Sequence, residues 1–119
     1  MASAYSTVVD WENLRSLPYT SMADTFVGIG TPFANPIRIL SIYNSTDEDL
    51  FLSNDGVNDK IVIPAHSEQV YDIGANRSSQ GGWLVLSAGR RLYVRYPASA
   101  PTQGAVYVEV IYGTDAIGG

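Results

Sequence analysis

The segment Ala105-Val106-Tyr107-Val108-Glu109-Val110-Ile111-Tyr112 decides the fold. Its side chains alternate: Val106, Val108, Val110 and Tyr112 share one face, and Tyr107, Glu109 and Ile111 share the other. A period of two marks a strand with one buried face. Immediately upstream, Leu92-Tyr93-Val94-Arg95-Tyr96 repeats the pattern, with Leu92, Val94 and Tyr96 opposite Arg91, Tyr93 and Arg95. Further apolar runs stand at Ile37–Tyr43, Leu50–Leu52, Ile61–Ile63, Val70–Tyr71 and Trp83–Leu86. Turn chemistry separates them at Asn44–Asp49, Asn54-Asp55-Gly56, Pro64–Ser67, Ser78–Gly82, Ala88-Gly89-Arg90 and Pro97–Gly104. Short strands at such spacing predict an all-β chain, a single-domain antiparallel β-sandwich or jelly roll of about eight strands. Arg95 and Glu109, on the last two strands, are either a cross-strand pair or two separately solvated charges.

With 119 residues the chain has room for one core. A hydrophobic fraction of 45% argues against wholesale disorder. Charged residues make up only 16%, low for a small soluble monomer, which predicts a surface partly covered by neighbours. The net charge is −5, and Arg90-Arg91 is the one adjacent basic pair, so nucleic acid is not an expected partner. The absence of cysteine removes disulfides and thiolate metal sites. No apolar run approaches the roughly 20 residues that cross a bilayer, and Met1–Tyr5 lacks the basic and apolar blocks of a secretory signal. The expectation is a protein made in a cytoplasm and used as made, with no membrane partner.

Residues 1–24 read as an N-terminal arm and residues 25–119 as the β-sandwich domain. Within the arm, Asp10-Trp11-Glu12-Asn13-Leu14-Arg15 predicts one helical turn capped by Asp10 and ended by Pro18. Thr25–Ile29 predicts an edge strand, and Thr31-Pro32 and Asn35-Pro36 force extended or turn geometry after it. The arm, with Tyr5, Trp11 and Leu14, is expected to reach along a neighbour or pair with a sheet edge. Arg91, Tyr93, Arg95, Tyr107 and Ile111 are interface candidates, with Tyr93, Tyr107 and Ile111 expected on one outward face, because tyrosine and arginine are enriched at contact hot spots.

No reactive constellation accompanies the strands. Asp47-Glu48-Asp49, Asn54-Asp55 and Asn58-Asp59 could offer oxygens to calcium, but their spacing misses the EF-hand register, and solvated turns explain them as well. His66, the one histidine, stands in a turn with no Gly-x-Ser-x-Gly elbow elsewhere. Gly28-Ile29-Gly30 lacks the third glycine of a dinucleotide loop. Asn44-Ser45-Thr46 and Asn76-Arg77-Ser78 are formal sequons without a secretory signal. Trp83 is expected in or beside the core, with a glycan-stacking platform as the alternative. The chain is read as not an enzyme, without cofactor or metal.

The order of turns nevertheless resembles a family. Asn44-Ser45-Thr46-Asp47, Leu52-Ser53-Asn54-Asp55-Gly56-Val57, Ile63-Pro64-Ala65, Tyr71-Asp72-Ile73-Gly74-Ala75-Asn76 and Pro101-Thr102-Gln103-Gly104-Ala105-Val106-Tyr107-Val108 follow one another as in small virion structural proteins of tailed double-stranded DNA bacteriophages. The likeness covers roughly Thr25 to Gly113 and leaves the arm uncovered. It implies a virion component with a β-sandwich or jelly-roll fold, present in symmetric copies and bound to the major capsid protein or other virion proteins. The expected role is capsid decoration (cementing), with a head-to-tail connector or tail component as the first alternative. A carbohydrate-binding module for host attachment is the alternative of another class.

Overall fold

The computed structural model describes residues 7–73 and 87–115. Nine strands run through them: β1 (Thr7–Trp11), β2 (Arg15–Pro18), β3 (Val27–Gly28), β4 (Ile37–Asn44), β5 (Leu50–Ser53), β6 (Ile61–Ile63), β7 (Ser67–Asp72), β8 (Tyr93–Arg95) and β9 (Ala105–Asp115). All pair antiparallel. A large sheet has the order β1-β9-β4-β7, with β2 following β1 along the same edge of β9. A small sheet has the order β3-β8-β5-β6. The chain is therefore an all-β, two-layer antiparallel sandwich, as its alternation predicts.

The inward side chains come from the expected positions. Leu40 and Ile42 of β4 and Val106, Val108 and Val110 of β9 line the large sheet's inner face. Leu50, Leu52, Ile63 and Val94 line the small sheet's, and Ile29, Phe33 and Leu92 join the same buried cluster. Burying each branched side chain contributes about 1.5–3 kcal/mol. The run Trp83–Leu86, expected as a strand, and the Asn76 sequon lie outside the described residues.

The N-terminal segment departs from expectation. Asp10–Arg15 is not a helical turn: β1 and β2 both lie against β9, in register Thr7↔Asp115 to Trp11↔Ile111 and Arg15↔Val108 to Pro18↔Ala105. Between them Glu12, Asn13 and Leu14 oppose only Glu109 and Val110, which makes a β-bulge. The Asp10 carboxylate accepts the Trp11 N–H at 2.7 Å instead of capping a helix. One helical turn fixes several dihedrals for a single hydrogen bond, whereas β9 offers a long unpaired edge to the β-branched Val8 and Val9. The bulge turns Glu12 and Arg15 inward as an ion pair at 2.6 Å, their side chains only 7% and 8% exposed. Arg15 also donates to the carbonyls of Thr31 (2.7 Å) and Pro32 (3.0 Å), and Glu12 accepts from the Asn35 N–H (2.8 Å) and Asn35 Nδ2 (2.9 Å). The segment is thereby stapled to the 31–35 loop.

A second correction concerns the last two strands. They are sequential but belong to different sheets, so 97–104 crosses between layers. Arg95 and Glu109 cannot pair. Arg95 instead forks onto Asp59, with Nε–Oδ1 at 2.9 Å and Nη2–Oδ2 at 2.7 Å. Its guanidinium lies 5.6 Å from the Phe26 ring centroid and 5.1 Å from that of Phe51.

The two layers are tied by a polar knot at the end of β4. Asn44 continues the inward series Leu40, Ile42, and both Asn44 and Thr46 are fully buried. Asn44 Nδ2 donates to the carbonyls of Glu48 (2.9 Å), Ile63 (3.0 Å) and Pro64 (3.2 Å), which reach it from the small sheet's side. Its Oδ1 accepts from the Thr46 N–H (2.9 Å) and Thr46 hydroxyl (2.6 Å). Ser45 exchanges bonds with Ala105, and the Asp47 carboxylate accepts the Thr102 N–H at 2.9 Å and the Thr102 hydroxyl. Gly104 sits under this turn at φ +86, where a Cβ would stand 2.3 Å from the Ser45 carbonyl oxygen. Asn44→Ala is expected to lose about 3 kcal/mol or more, since buried carbonyls lose their donor. Gly104→Ala is expected to lose about 2–4 kcal/mol from strain and overlap. Urea midpoints at unchanged slope measure both; an Asn44→Ala loss below about 1 kcal/mol contradicts the role given to this amide.

Candidate protein interface

The outer face of the large sheet is ordered by register into three rows. Trp11 pairs with Ile111, Ile111 with Ile39, and Ile39 with Asp72. Glu109 pairs with Ser41, and Ser41 with Val70. Ser16 pairs with Tyr107, Tyr107 with Tyr43, and Tyr43 with Glu68. Val9 stands two residues before Trp11 and so on the same face. The Tyr43 and Tyr107 rings stack with centroids 6.1 Å apart and planes at 16°. An antiparallel sheet facing water normally carries polar residues there. Here Trp11 is 63% exposed, Val70 61%, Val9 60% and Tyr43 41%. Covering Val9 or Val70 completely would contribute about 1–2 kcal/mol each. Leu14, 58% exposed at the bulge, and Trp11 wall an open cleft of about 680 Å³ beside this face, with Asn35 and Tyr112 on its other sides.

The outward positions of β7 and β9 carry acidic side chains. Glu68, Asp72 and Glu109 are exposed at outward positions, and Glu68 accepts the Ser41 hydroxyl at 3.1 Å. Of the described basic residues, Arg15 is buried against Glu12, and Lys60, Arg90, Arg91 and Arg95 stand on or beside the small sheet. Arg38, at the register shift between Ile37 and Ile39, is already engaged.

The residues expected at an interface fall into two groups. Trp11, Tyr107 and Ile111 come together on the large sheet, with Leu14 at its rim. Arg91, Tyr93 and Arg95 lie on the small sheet, so the expectation that Tyr93 shares a face with Tyr107 and Ile111 is corrected: opposite layers carry them. Arg91 Nε donates to the Gly30 carbonyl at 2.7 Å, and its guanidinium lies 5.8 Å from the Tyr93 ring centroid. Tyr5 and Trp83 lie outside the described residues. Sequence reasoning missed Val9, Ile39, Tyr43 and Val70. Counting by twos from the inward Leu40 and Ile42 would have placed Ile39 and Tyr43 outward.

The acidic turns are occupied by the chain's own donors. Backbone bonds from Asn58 lead in holding the Asp55 carboxyl well below its ordinary value, aided by the Ser53 hydroxyl, the Val57 N–H and Asn58 Nδ2. The Thr102 hydroxyl and N–H lower Asp47, and the Arg95 guanidinium lowers Asp59. Among the described residues no three His, Asp or Glu side chains cluster as a metal site, and no helix is long and apolar enough to cross a membrane.

No family model matches this chain, and no curated protein matches it. Among solved structures it is similar to the crystal structure of the Dit protein (gp 19.1) of phage SPP1, described as a paradigm of the hub adsorption apparatus in phages infecting Gram-positive bacteria. The TM-score is 0.37 at 9% identity, over 87% of this chain and 49% of that one. The chain thus spans about half the length of that protein, and a TM-score this low carries no argument.

The lowered carboxyls set an acid limit. A carboxyl whose folded value is depressed contributes fully above its unfolded value, 3.8 for these aspartates, and loses that contribution as pH falls toward the folded value. The melting temperature is therefore expected to hold from neutral pH down to about 5 and to fall below about 4. Asp55→Asn should melt lower than the parent at neutral pH, with the gap closing below about pH 4. Thermal melts across pH check this, and a pH-independent gap refutes it.

Proposed function

We propose that this chain is a structural component of a tailed-phage virion, held against another virion protein by the outer face of its large sheet. The observation that carries the reading is that face: an open, contiguous surface built around Trp11, Tyr43, Val70 and Ile111, which water solvates poorly and a neighbour would cover. Low overall charge and the ordered turn motifs of the resemblance support a building block of a particle. The chemistry-bearing side chains do a different job here: Asp47, Asp55 and Asp59 close turns and loops, which is scaffold work.

Capsid decoration is the expected role on low charge, aromatic outward faces and an N-terminal arm that would reach along a neighbour. Residues 7–11 and 15–18 are instead paired with the chain's own β9, so the last of these motives falls away. Head-to-tail or tail placement then stands level with decoration, and copy number separates them. Symmetric repetition in either place would make modest contacts retentive.

Quantitative mass spectrometry of purified particles provides the test. Hundreds of copies per particle indicate decoration, and a single ring's worth indicates the connector or tail. Absence from particles refutes the proposal. The double change Trp11→Ser with Val70→Ser is expected to alter folding stability by less than about 1 kcal/mol, both residues being mostly exposed, yet to reduce incorporation.

A further inference from the structure

We infer that the large sheet's outer face docks on a different protein, one with an apolar centre and lysine or arginine around it, and not on a second copy of this chain. The inference rests on the virion reading above and specifies the partner's chemistry.

The charge distribution carries it. Glu109 lies inside the patch, paired through β4 with Ser41, between the row of Trp11, Ile111 and Ile39 and the row of Tyr107 and Tyr43. Any surface that covers the two apolar rows must also cover this carboxylate. A desolvated carboxylate without a cation is strongly unfavourable, whereas a guanidinium or ammonium brought by the partner offsets that cost. Glu68 and Asp72 end two of the rows on β7 and add the same sign at the rim. Among the described residues Arg15 is spent on Glu12, Lys60, Arg90, Arg91 and Arg95 sit with the small sheet, and Arg38 at the β4 register shift is the one basic side chain beside these three acids.

A second copy fits this face badly. A two-fold contact places one patch against an identical patch, so Glu109, Glu68 and Asp72 of both copies would be desolvated together, with Arg38 the one described basic side chain beside each set of three. Like charges brought together in this way cost several kcal/mol and select against the pairing. Strand addition at β9 is also closed, because both of its edges are taken, one by β4 and the other by β1 and β2. Strand addition at the sheet's own edges, β7 or β1 and β2, would leave the outer face uncovered, so covering that face runs through its side chains, whose sign points to a cationic, apolar counterpart.

The test places the photo-cross-linking residue p-benzoylphenylalanine at Val70, and separately at Val62 on the small sheet, in the full chain produced during phage assembly. The expected product from position 70 joins a peptide of another virion protein that carries Lys or Arg beside apolar residues, and position 62 gives no such product. Glu109→Lys should reduce incorporation by about tenfold or more while Val62→Lys leaves it unchanged, with thermal melts reporting that both variants fold. Purified chain at neutral pH and low salt should sediment as a monomer. Cross-linking of position 70 to a second copy, a neutral-pH dimer broken by Val70→Lys, or normal incorporation of Glu109→Lys would each overturn the inference. If the unaltered chain is absent from particles the virion reading fails instead, and the same cross-link in the producing cells still reports the partner's chemistry.

Discussion

One carboxamide holds the two layers in their relation. Asn44 ends β4 of the large sheet, yet its Nδ2 reaches carbonyls at the end of β6 and in the turn before β5, both on the small sheet's side. Its Oδ1 meanwhile fixes Thr46, whose turn holds the 101–105 stretch that feeds β9. Apolar packing is non-directional and would tolerate sliding of one layer over the other. A fully satisfied amide, buried where water cannot substitute, has one arrangement only. The knot therefore selects the stacking of sheets that the hydrophobic core makes favourable in general.

The two outer faces that result are unequal. On the small sheet, Arg95 is held by Asp59 and flanked by Phe26 and Phe51, so charge and aromatic surface satisfy each other within the chain. On the large sheet Tyr43 and Tyr107 stack on one another, and Glu68, Asp72 and Glu109 lie among the outward aromatic and aliphatic side chains. Under the proposed reading, the large sheet's outer face is the one that a neighbour would cover.

The strands were legible because burial on one face imposes a period of two on the side chains, and β8, β9 and β4 from Ile39 onward obey it. Their partners were less so: β8 and β9 are neighbours in sequence, but nothing local says that the 97–104 connection changes layers. The N-terminal segment misled for a related reason. Asp10–Arg15 has the local composition of a capped turn, and only the open edge of β9, about a hundred residues away, makes it a strand. Asn44 and Thr46 read as solvated turn residues because polar side chains usually are; only the inward parity of Leu40, Ile42 and Asn44 hinted otherwise. At the candidate interface, Trp11, Tyr107 and Ile111 could be named from composition and alternation, whereas Val70 and Val9 needed the sheet order to place them.

The pairing of β1 with β9 joins Thr7 to Asp115, the first and last of the described residues. The large sheet accordingly cannot close on the ribosome until residue 115 has emerged. Until then the inner faces of β4 and β7 wait with their apolar side chains uncovered, and the partly made protein is at its stickiest late in synthesis. A building block required in quantity would therefore be rationed less by the stability of its finished form than by how safely its nascent form survives to the last strand.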